Sequence, residues 1–175
     1  MSADLPRAHR VCRAPLNGAT GDSVVLDYGA RLLRRKRLRT AAGMDFLADL
    51  DEAVSLGHGD AFELDDGRLI RVAAAEEALL EITGDLPRLA WHIGNRHTPC
   101  QIEPARLLIQ RDHVLARMLD GLGAAVREVR EPFTPEGGAY GHGRTMGHSH
   151  GPGEAHSHDH GHGHDHDHGL AGHKA

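Results

Sequence analysis

The sequence predicts a mostly β protein of the α+β class in three parts. These are a small N-terminal all-β domain over residues 1–73, a mixed domain over 74–140, and a polar tail over 141–175. Three observations carry the prediction. The front half is a series of short runs rich in β-branched residues and broken by turn formers. The second half alternates apolar runs of strand length with two stretches of helical period. The end, "HSHDHGHGHDHDHG" over 156–169, places histidine at every second position, and eleven of the sixteen histidines lie between His142 and His173 with almost no apolar residue among them. Such a segment cannot offset the entropy of ordering by burial, so a disordered tail is expected.

In the first part, "DSVVLDYGARLLRRKRLRT" from Asp22 mixes β-branched residues with a Tyr-Gly break, and "DAFELDDGRLIRV" reads as a hairpin around Asp66-Gly67. Between them, "MDFLADLDEAVSLGHGD" carries Phe46, Leu47, Leu50, Val54 and Leu56 in a spacing that neither period explains well. The basic run Arg34, Arg35, Lys36, Arg37 and Arg39 lacks interleaved aromatics and sits in an acidic chain, so it reads as a solvated strand face rather than a nucleic-acid patch.

In the second part, "EEALLEIT" is apolar enough for a buried strand. "GDLPRLAWHIGN" is a helix with Asp85 as N-cap, Pro87 in the first turn, and Leu86, Leu89, Ala90 and Ile93 on one face, stopped at Gly94-Asn95. "CQI" and "RLLIQ" are short strands on either side of Glu103-Pro104. A second helix opens at Asp112 with Val114, Leu115, Met118, Leu119 and Leu122 on one face and Gly123 at its end, and "AAVREVREPF" closes as a strand. The order strand, helix, strand, strand, helix, strand is that of ferredoxin-like (βαββαβ) domains.

Composition narrows the function. A net charge of -5 and a pI near 6.3 give no reason to expect binding to nucleic acid or anionic membranes. Cys12 and Cys100 are far apart and outside any C-x-x-C, which fits a reducing compartment. No apolar stretch of signal or spanning length occurs, so the expected protein is soluble and cytoplasmic. No P-loop, nucleophile elbow or H-E-x-x-H appears, so an enzyme is not expected.

Metal binding is the chemistry the residues do suggest. Imidazole suits nickel, zinc and copper, and carboxylates such as Asp159, Asp165 and Asp167 add oxygen donors. In an extended chain, residues i and i+2 face one side, so the tail candidates are His142, His148, His150, His156, His158, His160, His162, His164, His166 and His168. Engineered tags are usually unbroken histidine runs, unlike this one. Two further candidates lie in the mixed domain. His97, in "GNRHTP", follows a helix C-terminus and should be exposed; a two-fold dimer with this turn near its axis would supply two such ligands. His113 opens the second helix, where the positive end of the helix dipole suits a neutral ligand. Cys100 reads better as a small buried thiol than as a sulfur donor.

These residues carry a resemblance. "GNRHTP" followed by "QI", then "RDHVLARMLDGLG", "PFTPEGGAYGHG" and a histidine-rich end resemble the UreE family, urease accessory proteins that act as nickel metallochaperones. The similarity is specific over about residues 88–142, and only the β-rich pattern agrees before that. It implies an N-terminal β domain joined to a ferredoxin-like metal-binding domain that forms a homodimer. It further implies Ni(II) at His97 in the dimer interface, further Ni(II), Zn(II) or Cu(II) in the tail, and the accessory GTPase UreG and the assembling urease complex as partners. Two positions depart from the family. Where some relatives read H-D-H this chain has Arg111-Asp112-His113, and Cys100 replaces the usual Leu after "TP". The rivals are a general nickel or zinc store, and, ranked lower, a metal-dependent enzyme or regulator.

Overall fold

The structure is a computed structural model that describes residues 5–16 and 21–137. Six strands form the first domain: β1 (Arg7–Cys12), β2 (Asp22–Leu26), β3 (Leu32–Arg39), β4 (Asp45–Ser55), β5 (Ala61–Leu64) and β6 (Leu69–Ala74). They make one sheet in the order β2-β6-β5-β1-β4-β3. β1 runs parallel to β4 and β2 parallel to β6, while the other pairs are antiparallel. The expected β5–β6 hairpin is present. Gly67 takes φ 81°, which a side chain would resist, and Asp66 accepts hydrogen bonds from the Arg68 backbone N–H (3.1 Å) and guanidinium (2.8 Å).

The stretch whose period the sequence obscures is the longest strand, β4. Phe46, Ala48 and Leu50 are buried at every second position, so Ala48 supplies the missing member, while Leu47 faces the other side. A register shift opposite Leu33 and Arg35 then breaks the alternation. The Phe46 and Phe62 rings, both fully buried, meet edge to face with centroids 5.4 Å apart in a core shared with Val24, Leu38, Ile70 and Val72. The basic run lies exposed along β3, where Arg37 pairs with Asp45 (2.7 Å) and Arg35 with Asp49 (3.4 Å), in keeping with a solvated face.

The second domain runs β7 (Glu76–Thr83), α1 (Leu86–Gly94), β8 (Gln101–Ile102), β9 (Leu107–Gln110), α2 (His113–Gly121) and β10 (Ala125–Pro132). Its strands stand in the order β10-β7-β9-β8, each pair antiparallel. Both helix starts follow the sequence signals. Asp85 accepts from the Arg88 N–H (3.4 Å), and Asp112 accepts from Val114 (2.7 Å) and Leu115 (3.0 Å). Leu89, Ile93, Leu115 and Leu119 of the helices bury against Leu80, Ile82, Leu107 and Ile109 of the sheet. Each such side chain removed from water contributes on the order of 2 kcal/mol.

The opposite face of this sheet meets the first domain. Leu79, Leu108 and Phe133 are buried there with Tyr28 packed against them, and the Tyr28 backbone N–H donates to Glu77 Oε1 at 2.6 Å. The Arg31 guanidinium, itself buried, donates to the Phe133 carbonyl. Among the described residues, no helix is long and apolar enough to cross a membrane.

Candidate metal site at one end of the second domain

Strand direction decides which candidate ligands can meet. Because β7 and β9 are antiparallel, with Leu79 opposite Gln110 and Ile82 opposite Leu107, the helices that follow them start from opposite ends of the sheet. α1 leaves the Thr83 end. α2 leaves the Gln110 end, where the Arg111 N–H donates to the Ala78 carbonyl (3.1 Å). At its own end α2 returns beside the start of α1, since a Cβ on Gly84 would lie 3.6 Å from Ala124 Cα. The C-terminus of α1, with His97 just beyond it, and the N-terminus of α2, with His113 as its first residue, therefore share one end of the domain. β10 finishes there too, with Pro132 opposite Glu76.

His97 is exposed and takes φ 54°, a left-handed conformation that few residues other than glycine adopt. It closes the turn after α1, its N–H donating to the Gly94 carbonyl (2.9 Å) after Arg96 has done the same to Ile93 (3.0 Å). A left-handed histidine costs on the order of 1 kcal/mol where glycine would cost nothing, and such outliers gather at functional sites. No feature of "NRHT" announces it.

His113 is exposed and lines a cleft of about 710 Å³ with Leu80, Arg111, Asp112, Ala116, Arg117 and Glu128. Two arginines in that lining oppose a dication, although Arg111 is paired with Glu128 at 3.2 Å. Cys100 is half-buried and packs against the helix core. Burial, and secondarily the Glu136 carboxylate, pushes its thiol up to about 11. It therefore stays protonated, as a packing thiol does, and makes a poor sulfur ligand. Among the described residues, no three His, Cys, Asp or Glu side chains are gathered closely enough to hold a metal ion. The tail candidates His142, His148, His150, His156, His158, His160, His162, His164, His166 and His168 lie outside the described residues.

What the sequence did not reveal is how the chain leaves the domain. After β10 the Thr134 N–H donates to Gln101 Oε1 (2.7 Å), and the Glu136 N–H donates to the Cys100 carbonyl (2.9 Å). The last described residues are thus bonded to Cys100 and to β8, which begins four residues after His97. Two exposed apolar side chains stand at the same end: Trp91 (64 % exposed) in the last turn of α1, its ring edge-on to His92 at 4.9 Å, and Val114 (61 % exposed) in the first turn of α2.

Known proteins resemble the chain along both domains. The family model for the N-terminal domain of the UreE urease accessory protein matches residues 5–75, and that for its C-terminal domain matches residues 72–168. The urease accessory protein UreE of Ruegeria pomeroyi is 63 % identical over 147 residues, covering 83 % of this chain and 99 % of the relative. That of Rhodobacter capsulatus is 62 % identical over 143 residues (80 % and 92 %), and that of Paracoccus denitrificans 58 % over 142 residues (81 % and 90 %).

Proposed function

The chain belongs to the UreE family of urease accessory proteins, and from that membership we propose that it is a nickel metallochaperone, which stores Ni(II) and delivers it during assembly of the urease active site. Nickel is its cargo, and the protein performs no catalytic step. The observation that carries this reading is the convergence of His97, His113 and the root of the histidine tail on one end of the second domain. His97 is the specific ligand and His113 an accessory one, and the tail histidines form a reservoir that takes nickel and also zinc or copper.

Ligand supply argues for a homodimer. A nickel ion needs at least four donors, and the folded domain offers His97 and few neighbours. A two-fold axis beside His97 doubles the supply, and the exposed Trp91 and Val114 give a second copy an apolar surface to cover. Tail histidines complete the set. From the Glu136 anchor to His142 the chain reaches roughly 20 Å when extended, and His97 lies within roughly 10 Å of Cys100, so His142 can arrive at His97.

The division into a β domain at 1–73, a metal-binding domain at 74–140 and a tail at 141–175 suits this use. The strand order β10-β7-β9-β8 supports reading the middle part as ferredoxin-like. The partners are the accessory GTPase UreG and the urease apoprotein with its accessory complex, in the cytoplasm.

Calorimetry and sedimentation of the full chain with and without His97→Ala test the proposal. One tight nickel per dimer above the tail background, lost in His97→Ala while the fold survives, is expected. Undiminished tight binding in His97→Ala, with nickel uptake following the tail alone, would instead make the protein a general metal store.

A further inference from the structure

We infer that β10 is a docking edge for a second copy of this chain, the two strands pairing antiparallel about a two-fold axis at Val129. The pairing joins two four-stranded sheets into one. It goes beyond the nickel reading, since neither a metal nor His97 takes part in it.

The edge is open. β10 is the last strand of its sheet, hydrogen-bonded to β7 alone. The Arg111 N–H donates to the carbonyl of Ala78, so Ala78, Leu80 and Ile82 direct their backbone polar groups at β9, and Leu79 and Glu81 direct theirs at β10. Across the β7–β10 register, Val129 and Arg127 therefore bond to β7, while Val126, Glu128 and Arg130 turn their N–H and C=O groups outward. Among the described residues, no backbone hydrogen bond reaches those groups.

Charge then selects the occupant and the register. Two copies of one strand related by a two-fold axis run antiparallel, and outward-facing groups can bond only when the axis passes through a residue. An axis at Glu128 or at Arg130 sets that charge against its own copy, and an axis at Arg127 or Glu131 does the same. With the axis at Val129, each charge meets its opposite: Glu128 faces the partner's Arg130 on the helix side of the sheet, and Arg127 faces the partner's Glu131 on the other. Arg130 is exposed and, among the described residues, has no ion-pair partner, so the second copy supplies the carboxylate it lacks. The half-buried Val129 meets its own copy at the axis. Pro132, which has no N–H to donate, closes the ladder at its end. Charges on an edge strand ordinarily block pairing altogether. Here they forbid the neighbouring registers and leave one. A single strand pair is a small interface, so it forms at high protein concentration and dissociates on dilution.

The test uses the full chain in the presence of a chelator. Hydrogen exchange at the Val126, Glu128 and Arg130 amides is followed alongside sedimentation, from about 10 μM to about 1 mM protein. Protection of the three amides should rise with concentration together with the larger species; association elsewhere on the surface would leave these amides unchanged. Arg130→Glu sets two carboxylates opposite each other, and Glu128→Arg two guanidiniums, so each variant alone should associate about tenfold more weakly or worse. An equimolar mixture of the two variants restores opposite charges at both positions and should recover the parent's association and protection, which a folding defect could not do. Three results each overturn the inference. They are no protection at any concentration, protection independent of concentration, which would mean that the chain covers its own edge, and a mixture that associates no better than its components. With nickel excluded, none of these results bears on the site at His97, whose own test is His97→Ala.

Discussion

Tyr28 and Phe133 meet edge to face across the boundary between the two domains, ring centroids 5.4 Å apart and planes at 75°. Phe133 is fully buried, with Leu79 and Leu108 beneath it, and the Arg31 guanidinium lies 5.5 Å from the centre of the Tyr28 ring as it reaches the Phe133 carbonyl. The joint is thus a packed aromatic contact sealed by one buried cation. Phe133→Ala removes its centre and should cost about 3–5 kcal/mol. Because each domain keeps its own core, thermal unfolding should split into two transitions, and a single unshifted transition in calorimetry would show that the joint couples nothing.

On the open part of the same sheet face, Arg106 gathers Glu81, Glu103 and Glu131, and Arg127 adds a second bond to Glu81 at 2.6 Å. Arg106 hydrogen bonds are the main cause holding all three carboxyls below the usual glutamate range. Groups depressed in the fold stabilise it above their unfolded pKa of about 4.3, and that contribution fades as pH falls through the lower folded values. Arg106→Gln should therefore melt below the parent at pH 7, with the gap closing below about pH 4. A gap independent of pH in melts from pH 7 to 3 would assign the effect to packing.

Much of the fold was legible because its signals are local. Asp85 and Asp112 announce helices by their caps, Asp66-Gly67 announces a hairpin, and the apolar spacing of Leu86, Leu89, Ala90 and Ile93 gives the buried face. β4 was obscured because Ala48 does not look like a core residue and because the register shift ends the alternation early. The joint and the bonds that hold the chain as it leaves β10 escape sequence reading for a different reason. Tyr28, Arg31, Gln101 and Thr134 are ordinary surface residue types, and only the folded chain brings Arg31 to Phe133, 102 positions away. His97 was singled out by its turn and by the family motif, yet neither indicates its left-handed backbone.

The tail should load near neutral pH and empty on acidification. A solvated imidazole has a pKa of about 6.5, so below that value a proton competes with the metal for each nitrogen. Equilibrium dialysis should show nickel stoichiometry falling steeply between pH 7.5 and pH 5, and an unchanged stoichiometry would rule out imidazole as the main donor.

His113 should matter less than His97, although both stand at the same end of the domain. His97 is exposed in its left-handed turn just beyond α1, and in the dimer proposed above a two-fold axis would duplicate it. His113 shares its cleft with Arg111 and Arg117; Glu128 pairs with Arg111, and the Asp112 carboxylate is engaged by the Val114 and Leu115 N–H groups. A dication bound there would meet two guanidiniums, so His113 is expected to contribute as an outer ligand at most. His113→Ala should weaken the first nickel by less than about tenfold, or 1.4 kcal/mol, and leave the count per dimer unchanged. The paired variant Arg117→Gln should strengthen nickel binding slightly, since it removes a like charge without removing a donor. Calorimetry on the two variants decides the matter: loss of the tight ion in His113→Ala would place the specific site at the start of α2.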